Sequence, residues 1–414
     1  MDQGYLVIRD GKITSLGQDS PPENFSAAET EVIDASNCAV LPGLTNAHTH
    51  LSQTFMRGLA GGRPLMAWLN QVIWPLQKTM SPEELYLASL LGLVENLRYG
   101  VTEVTDHHKI THSTIHTEAV LKAAQKIGLR FTLARAWSDQ GVNQEDPQLI
   151  IEDLTRLFSL TEGERWISIA NGPLALWRCS ARTLVDTHDV ALQHGSFTHF
   201  HVSESQQEVD MSIKAHGLRP VEWLDSIGML DKYTQLVHAV WVSPDEIHNI
   251  KRQGATVIHC PVSNAVLGSG VAPLSDYHKE MIPLRLGTDG SASNDTQDIW
   301  ETLKFAVCMA RGLSLDPTIL PPREALGLAL GNRKLAVGFP ADLIIIDLNH
   351  PQSAPVIDYD AALTLGGASR DVRYVFVGGE ARLADGRLTM LDEEQLLREC
   401  NQAIKALRRR AGFS

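Results

Sequence analysis

Residues 38-CAVLPGLTNAHTHLSQTF-55 decide the architecture. An apolar, β-prone run ends in two histidines with one residue between them, and residues i and i+2 of a strand point to the same face. In a (β/α)8 barrel the chemistry is carried at the C-terminal ends of the strands, so His48 and His50 would both face the barrel mouth. Two imidazoles aimed at one point have metal-ligand geometry. In a chain with 16 histidines, however, an HxH needs support from other strand ends.

That support comes from the alternation downstream. Short β-branched runs recur at 101-VTEVTDHH-108, 130-RFTLARAW-137, 166-WISIANGPL-174, 197-FTHFHVSE-204, 233-YTQLVHAVWV-242, 255-ATVIHCPVSN-264 and 283-PLRLGTDG-290. Between them lie helical segments with start signals. In 81-SPEELYLASLLGLVENLRYG-100, Ser81 can cap, Pro82 takes the first helical position and Gly100 ends the run. With the opening run as first strand, about eight strands alternate with helices over roughly 250 residues, as a (β/α)8 barrel requires. A doubly wound sheet would alternate similarly, but no GxGxxG opens a helix. The chain ends differ: YLVIRDGKITSLG near the start, and 341-ADLIIIDL-348 with 372-VRYVFVGGEARLADGRL-388, read as short strands around turns. The chain therefore divides into residues 1–43 as half of a small flanking β-sandwich, 44–338 as an α/β TIM-like barrel, 339–390 as the second sandwich half, and 391–414 as a terminal helix.

Composition narrows the function classes. A chain of 414 residues with 43% hydrophobic and 21% charged residues is globular, and a formal charge of -13 without a long basic run argues against nucleic-acid or anionic-membrane partners. The five cysteines include no CxxC pair, which fits a reducing cytoplasm. No segment has the apolar length of a signal peptide or membrane span.

The barrel strand ends converge. The fifth ends in His201, the sixth carries His238, and the eighth ends in Asp289 within 287-GTDGSASND-295. Imidazoles and a carboxylate arriving from different strands make a mixed N/O site suited to zinc or ferrous iron. LPGLTNAHTH, GVTEVTDHH, HVSESQQE, LVHAVWV, HCPVSN, LGTDGSASND and FPADLIIID, in this order over nearly the whole chain, resemble the amidohydrolase superfamily. The resemblance is to its aminohydrolase branch, which includes methylthioadenosine/S-adenosylhomocysteine deaminases, oxopurine and cytosine deaminases and triazine hydrolases. It implies one divalent ion, zinc or iron, bound by His48, His50, His201 and Asp289, with His238 beside the water and Glu204 as catalytic carboxylic acid. Family members are commonly homo-oligomers.

The chemistry asks for these residue types. A divalent ion lowers the pKa of bound water from about 16 toward 7, and Asp289 and His238 can accept its proton. Hydrolysis of an aromatic C–NH2 bond also needs a proton on the adjacent ring nitrogen, which Glu204 can supply. Relatives with two metals bridge them with a modified lysine at the end of the fourth strand. WISIANGPL has none there, which favours one metal and deamination.

Substrate contacts are assigned to Trp68, Gln77, Arg135, Leu174 and His108. Trp68 and Trp74 in 65-LMAWLNQVIWPLQ-77 either wall a pocket for a flat ring or form the buried side of a helix. His107 and His108 either line the pocket or are structural. His259, Ser263 and Asn264 match a family motif and equally fit a hydrogen-bonded loop cluster. His112, His116, His188, His194, His216, His248, His278 and His350 read as surface groups.

The loop resembles the first lid of the methylthioadenosine/S-adenosylhomocysteine deaminases, with Arg135 near the far end of their substrate. Yet that group's ribose-binding glutamate and histidine are replaced by Gln77 and Leu174, while the DHH ending of strand two resembles the oxopurine and triazine branch. The segment 323–343 looks shorter than in the family. The expectation is a metal-dependent deaminase of a purine, pterin or triazine-type ring. The alternatives are a methylthioadenosine/S-adenosylhomocysteine deaminase, a triazine-type hydrolase expelling chloride or alkylamine, and a non-catalytic assembly protein.

Overall fold

The computed structural model describes residues 4–18, 30–110, 112–331, 333–366 and 371–413. Strands β1 (Tyr5–Arg9) and β2 (Lys12–Gly17) form an antiparallel hairpin. Its turn residues Asp10 and Gly11 both have positive φ, as the tight twist of a two-residue turn requires.

The apolar run that opens the sequence reading divides at Gly43 rather than forming one strand. Strand β3 (Cys38–Pro42) belongs to a flanking sheet, and β4 (Leu44–Thr49) opens the barrel. Pro42 has no N–H to continue a ladder. A Cβ on Gly43 would lie 2.1 Å from Thr102 Oγ1, so only glycine lets the chain cross there.

The barrel continues with β5 (Val101–His108), β6 (Arg130–Trp137), β7 (Ile167–Pro173), β8 (Thr198–Val202), β9 (Thr234–His238), β10 (Thr256–His259) and β11 (Leu284–Leu286). Each is parallel to its sequence neighbour. Consecutive order from β4 to β11 excludes the doubly wound alternative, whose strand order reverses midway. The connecting helices begin where the sequence says: Ser81 accepts from the Glu84 N–H, and Ser243 with Glu246 repeats the capping box.

The ends of this sheet meet just past β11. Asp289 N–H donates to the His48 carbonyl at 2.9 Å, and Gly287 presses so closely that a Cβ would stand 2.7 Å from His48 Cβ.

Strand β12 (Leu343–Asp347) pairs with β3 on one side and β13 (Val372–Val377) on the other, followed by β14 (Glu380–Ala384) and β15 (Arg387–Leu388). Alternation explains the unbroken 343-LIIID-347. Ile344 and Ile346 pack into the large core shared with the barrel helices, whereas Leu343 and Ile345 join Phe376 in a separate small core. The terminal helix Glu393–Arg410 is capped by Asp392, and its buried Cys400 packs on the helix Pro82–Arg98. None of the described helices is long and apolar enough to cross a membrane.

Gly287→Ala should force His48 away from its position. The expected cost is about 1–3 kcal/mol, read as a lowered unfolding midpoint together with reduced metal content. An alanine variant with wild-type values for both would show that this contact does not position His48.

Candidate metal centre and cavity

Five polar side chains from β4, β8, β9 and the turn after β11 converge at the C-terminal mouth of the barrel. His48, His50, His201, His238 and Asp289 are all buried. The possible ligand atoms of His48, His50 and His201 lie within 4.8 Å of one another, as do those of His48, His238 and Asp289. Asp289 Oδ1 is 3.3 Å from His50 Nε2 and 3.5 Å from His48 Nε2.

Backbone conformation brings the later strand ends inward. Ser203, His238, Ala239 and Asp289 all adopt positive φ, between 44° and 71°. Such left-handed non-glycine residues cost of order 1–3 kcal/mol each and persist only where surrounding structure holds them. Here the Ala239 N–H donates to the Val202 carbonyl and the Val240 and Trp241 N–H groups to that of Ser203, locking β8 to β9.

Each imidazole is fixed through its outer nitrogen. His50 Nδ1 lies 2.8 Å from the His107 carbonyl, His201 Nδ1 2.7 Å from the Leu174 carbonyl, and His238 Nδ1 2.8 Å from Asn264 Oδ1. Carbonyl oxygens only accept, so these Nδ1 atoms carry the protons and the Nε2 lone pairs face inward. His48 is held by a relay. Its Nδ1 meets His199 Nε2 at 2.8 Å, and His199 Nδ1 meets Gln235 Oε1 at 2.8 Å. Burial lowers the pKa of His48, His50 and His201, which favours the neutral form that binds metal. His48 Nε2 is buried without a hydrogen-bond partner, so the donor set fits a divalent ion aimed at by that lone pair.

A cavity of about 520 Å³ opens above the cluster, lined by His50, His201, His238 and Asp289, with Glu204 at its floor and Trp68, Trp74, Gln77 and Leu174 in its walls. Glu204 Oε1 accepts from Ser269 Oγ at 3.1 Å, and Glu204 Oε2 lies 3.6 Å from His238 Nε2. Ser263 Oγ donates to Asp289 Oδ2 at 2.7 Å, so Ser263 and Asn264 hold the cluster from behind. The helical wall from Leu65 to Thr79 contains a π-turn at Leu69–Ile73, a distortion frequent at functional sites.

Two of the residues assigned to substrate do not reach the cavity. Arg135 and His108 face each other in register on β6 and β5. Strand alternation points His107 inward, toward the Gly172 carbonyl, and sends His108 and Arg135 to the helix side. There Arg135 is bound by Glu145 at 2.6 Å and Asp153 at 2.9 Å, and His108 lies 3.4 Å from Thr117 Oγ1. One histidine read as a surface group differs: His188 is buried against Thr198. His112 is exposed, as that reading has it, at the edge of the cavity and 3.2 Å from the Gln77 carbonyl.

Sequence reading missed His199, Lys109, Gln53 and Arg178. The first had a signal, since 199-HFH-201 repeats the same-face spacing of 48-HTH-50. Lys109 continues the inward parity of His107. Gln53 and Arg178 sit on turns whose direction no periodicity encodes.

The Amidohydrolase family matches residues 39–382. The chain is 34% identical to a 5'-deoxyadenosine deaminase of Methanobrevibacter smithii, over 98% of this chain and 94% of that protein. It is likewise 34% identical to a 5-methylthioadenosine/S-adenosylhomocysteine deaminase of Pyrococcus furiosus, over 95% and 93%. An adenosine deaminase from Xanthomonas campestris with bound zinc superposes with a TM-score of 0.89 at 26% identity, covering 98% and 94%. Atrazine chlorohydrolase from Arthrobacter aurescens, complexed with zinc, shares the fold with a TM-score of 0.88 at 24% identity, covering 97% and 95%.

His201→Ala and Asp289→Ala should each lower metal content by at least about tenfold, since even supporting residues are worth 10–100-fold in affinity. Elemental analysis of purified protein, with circular dichroism to verify folding, checks this. Undiminished metal in both variants would place the ion elsewhere.

Proposed function

The chain belongs to the amidohydrolase family, and from that premise we propose that it hydrolyses an amino-substituted nitrogen heterocycle, releasing ammonia. The observation that carries this is the placement of Glu204 and His238 side by side on the cavity floor, over the imidazole–carboxylate cluster. Zinc, with ferrous iron as the alternative, suits a site of His48, His50, His201 and Asp289, and when bound it supplies the Lewis acidity that makes water a nucleophile near neutral pH.

The chain's own groups do the rest. Asp289 and His238 flank the position of the attacking water and accept its proton. Glu204, steadied by Ser269, protonates the ring nitrogen next to the carbon under attack, so the ring does not carry a full negative charge. Glu204 then takes a proton back from the new ring C–OH group and passes it to the departing amine as the C–N bond breaks, and the water proton held by Asp289 or His238 returns to Glu204 to close the cycle. Ring C–NH2 and water thus become ring carbonyl and ammonia. Trp68 and Trp74 offer aromatic walls to a flat ring.

A second reading is a deaminase of 5'-modified adenosine nucleosides, favoured by the names of relatives that align over nearly the whole chain. Against it, Gln77 and Leu174 both face the cavity and offer ribose hydroxyls a neutral amide and a hydrocarbon. Sites built for hydroxyls discriminate through paired polar groups, so methylthioadenosine should fall below the efficient range of about 10⁵ M⁻¹s⁻¹ in kcat/KM. A higher value would install the nucleoside reading in place of the base-like ring. A homo-oligomeric, cytoplasmic enzyme completes the proposal, supported by family resemblance and by five cysteines that are all free.

Glu204→Gln keeps volume and removes the transferable proton. The expected result is unchanged metal content with kcat reduced by about 10²–10⁴. Loss of metal would make Glu204 a ligand, and near-normal kcat would assign the proton to another group.

A further inference from the structure

Two cations line the cavity without an ion-paired carboxylate among the described residues. Lys109, the residue after β5, lines the cavity with Glu204 and Asp289, and among the described residues no acid forms an ion pair with it. Burial pulls its ammonium below the ordinary lysine range, although the charges of Asp289 and Glu204 act in its favour.

Arg178 lines the same cavity. Among the described residues its guanidinium donates only to neutral oxygens, Ser138 Oγ at 3.0 Å and the Val142 carbonyl, and its buried Nε has no partner. It lies over Trp74 and Trp177, 5.7 Å from each ring centroid. The contrast with Arg135, bound by two carboxylates just behind this wall, marks Arg178 as uncompensated.

Apart from Glu204, the acids lining the cavity are already engaged. Glu145 serves Arg135, and Asp289 accepts from Ser263 and the Gly290 N–H. Glu208 accepts the Glu204 N–H, and burial with the neighbouring Glu204 raises its carboxyl above the ordinary range, toward the neutral form. Arg178 is buried and Lys109 half-buried, and a cation drawn out of water without an ion-pair partner is stabilised by a ligand of opposite charge. Fixed cations with free donor edges in a ligand cavity are suited to a planar carboxylate.

We propose that the heterocycle deaminated here carries a carboxylate on or near the ring, taken up by Lys109 with Arg178 contributing the second positive charge. This rests on the deaminase reading of the site. It separates the chain's substrate from neutral nucleosides, whose sugar hydroxyls use neither charge.

The experiment compares neutral and carboxylated partners: pterin with pterin-6-carboxylate, and adenosine with adenosine-5'-carboxylate. Ammonia release and calorimetric binding are measured on metal-loaded wild type, Lys109→Met and Arg178→Met, with metal content and unfolding midpoint as controls on folding. Wild type should favour the carboxylated member of at least one pair. Lys109→Met should reduce that preference by about 10–100-fold, mainly through KM, as expected for a charged hydrogen bond. Equal loss on both members would assign Lys109 to supporting Glu204 and Asp289, and overturn the proposal. So would the absence of preference for a carboxylated ring in turnover and in binding. Tight, Lys109-dependent binding of a carboxylated ring without ammonia release would uphold the carboxylate site while sinking the deaminase reading.

Discussion

The hydrogen bond from Asp289 N–H to the His48 carbonyl joins the first and last strand ends of the barrel. It also sets the carboxylate of one beside the imidazole of the other, so barrel closure and assembly of the cluster are one event. A buried amide network reinforces it. Asn46 Nδ2 reaches Thr288 Oγ1 at 2.8 Å and Asn96 Oδ1 at 2.9 Å, while Gln297 bridges Thr49 and the Asp289 carbonyl. Unsatisfied, each such group would cost about 1–3 kcal/mol, so the network specifies one register for the seam.

A barrel interior is normally filled by branched aliphatic side chains. Here Ala47, Val237, Ile258 and Cys260 form only a small apolar plug, and imidazoles occupy much of the remaining space. His48, His199 and Gln235 form a chain in which every acceptor meets a donor, leaving one lone pair unused at the centre. The polar atoms left without partners near the mouth include His48 Nε2, the Gln53 amide and Trp68 Nε1. Orphans gathered where a ligand would sit mark a region where this fold is incomplete by itself.

Cavity chemistry is divided by depth. The floor carries neutral imidazoles and acids suited to moving protons, and the wall from Leu65 to Thr79 supplies tryptophan faces. Lys109 and Arg178 add positive charge that no ion pair among the described residues takes up. Low dielectric strengthens every one of these interactions, so small differences in which cations are compensated become differences in what the cavity accepts.

The sequence by itself determined the alternation of strands and helices, the capped helix starts, the strand-end positions of His48, His50, His201, His238 and Asp289, and the spacing that puts Glu204 just beyond β8. These follow from local rules, since period, capping and same-face spacing are properties of neighbouring residues. Parity could have been read further: counting outward from His107 would have sent His108 and Arg135 to the helix side and drawn in Lys109. Only the tertiary structure decided that Gly43 divides the opening run, that His199 orients His48, that His188 is buried, and that Arg135 is neutralised while Arg178 is not. Each of those depends on a partner distant in the chain, Thr102 for Gly43 and Gln235 for His199 among them. Pairing at that separation is fixed by packing, which no local pattern records.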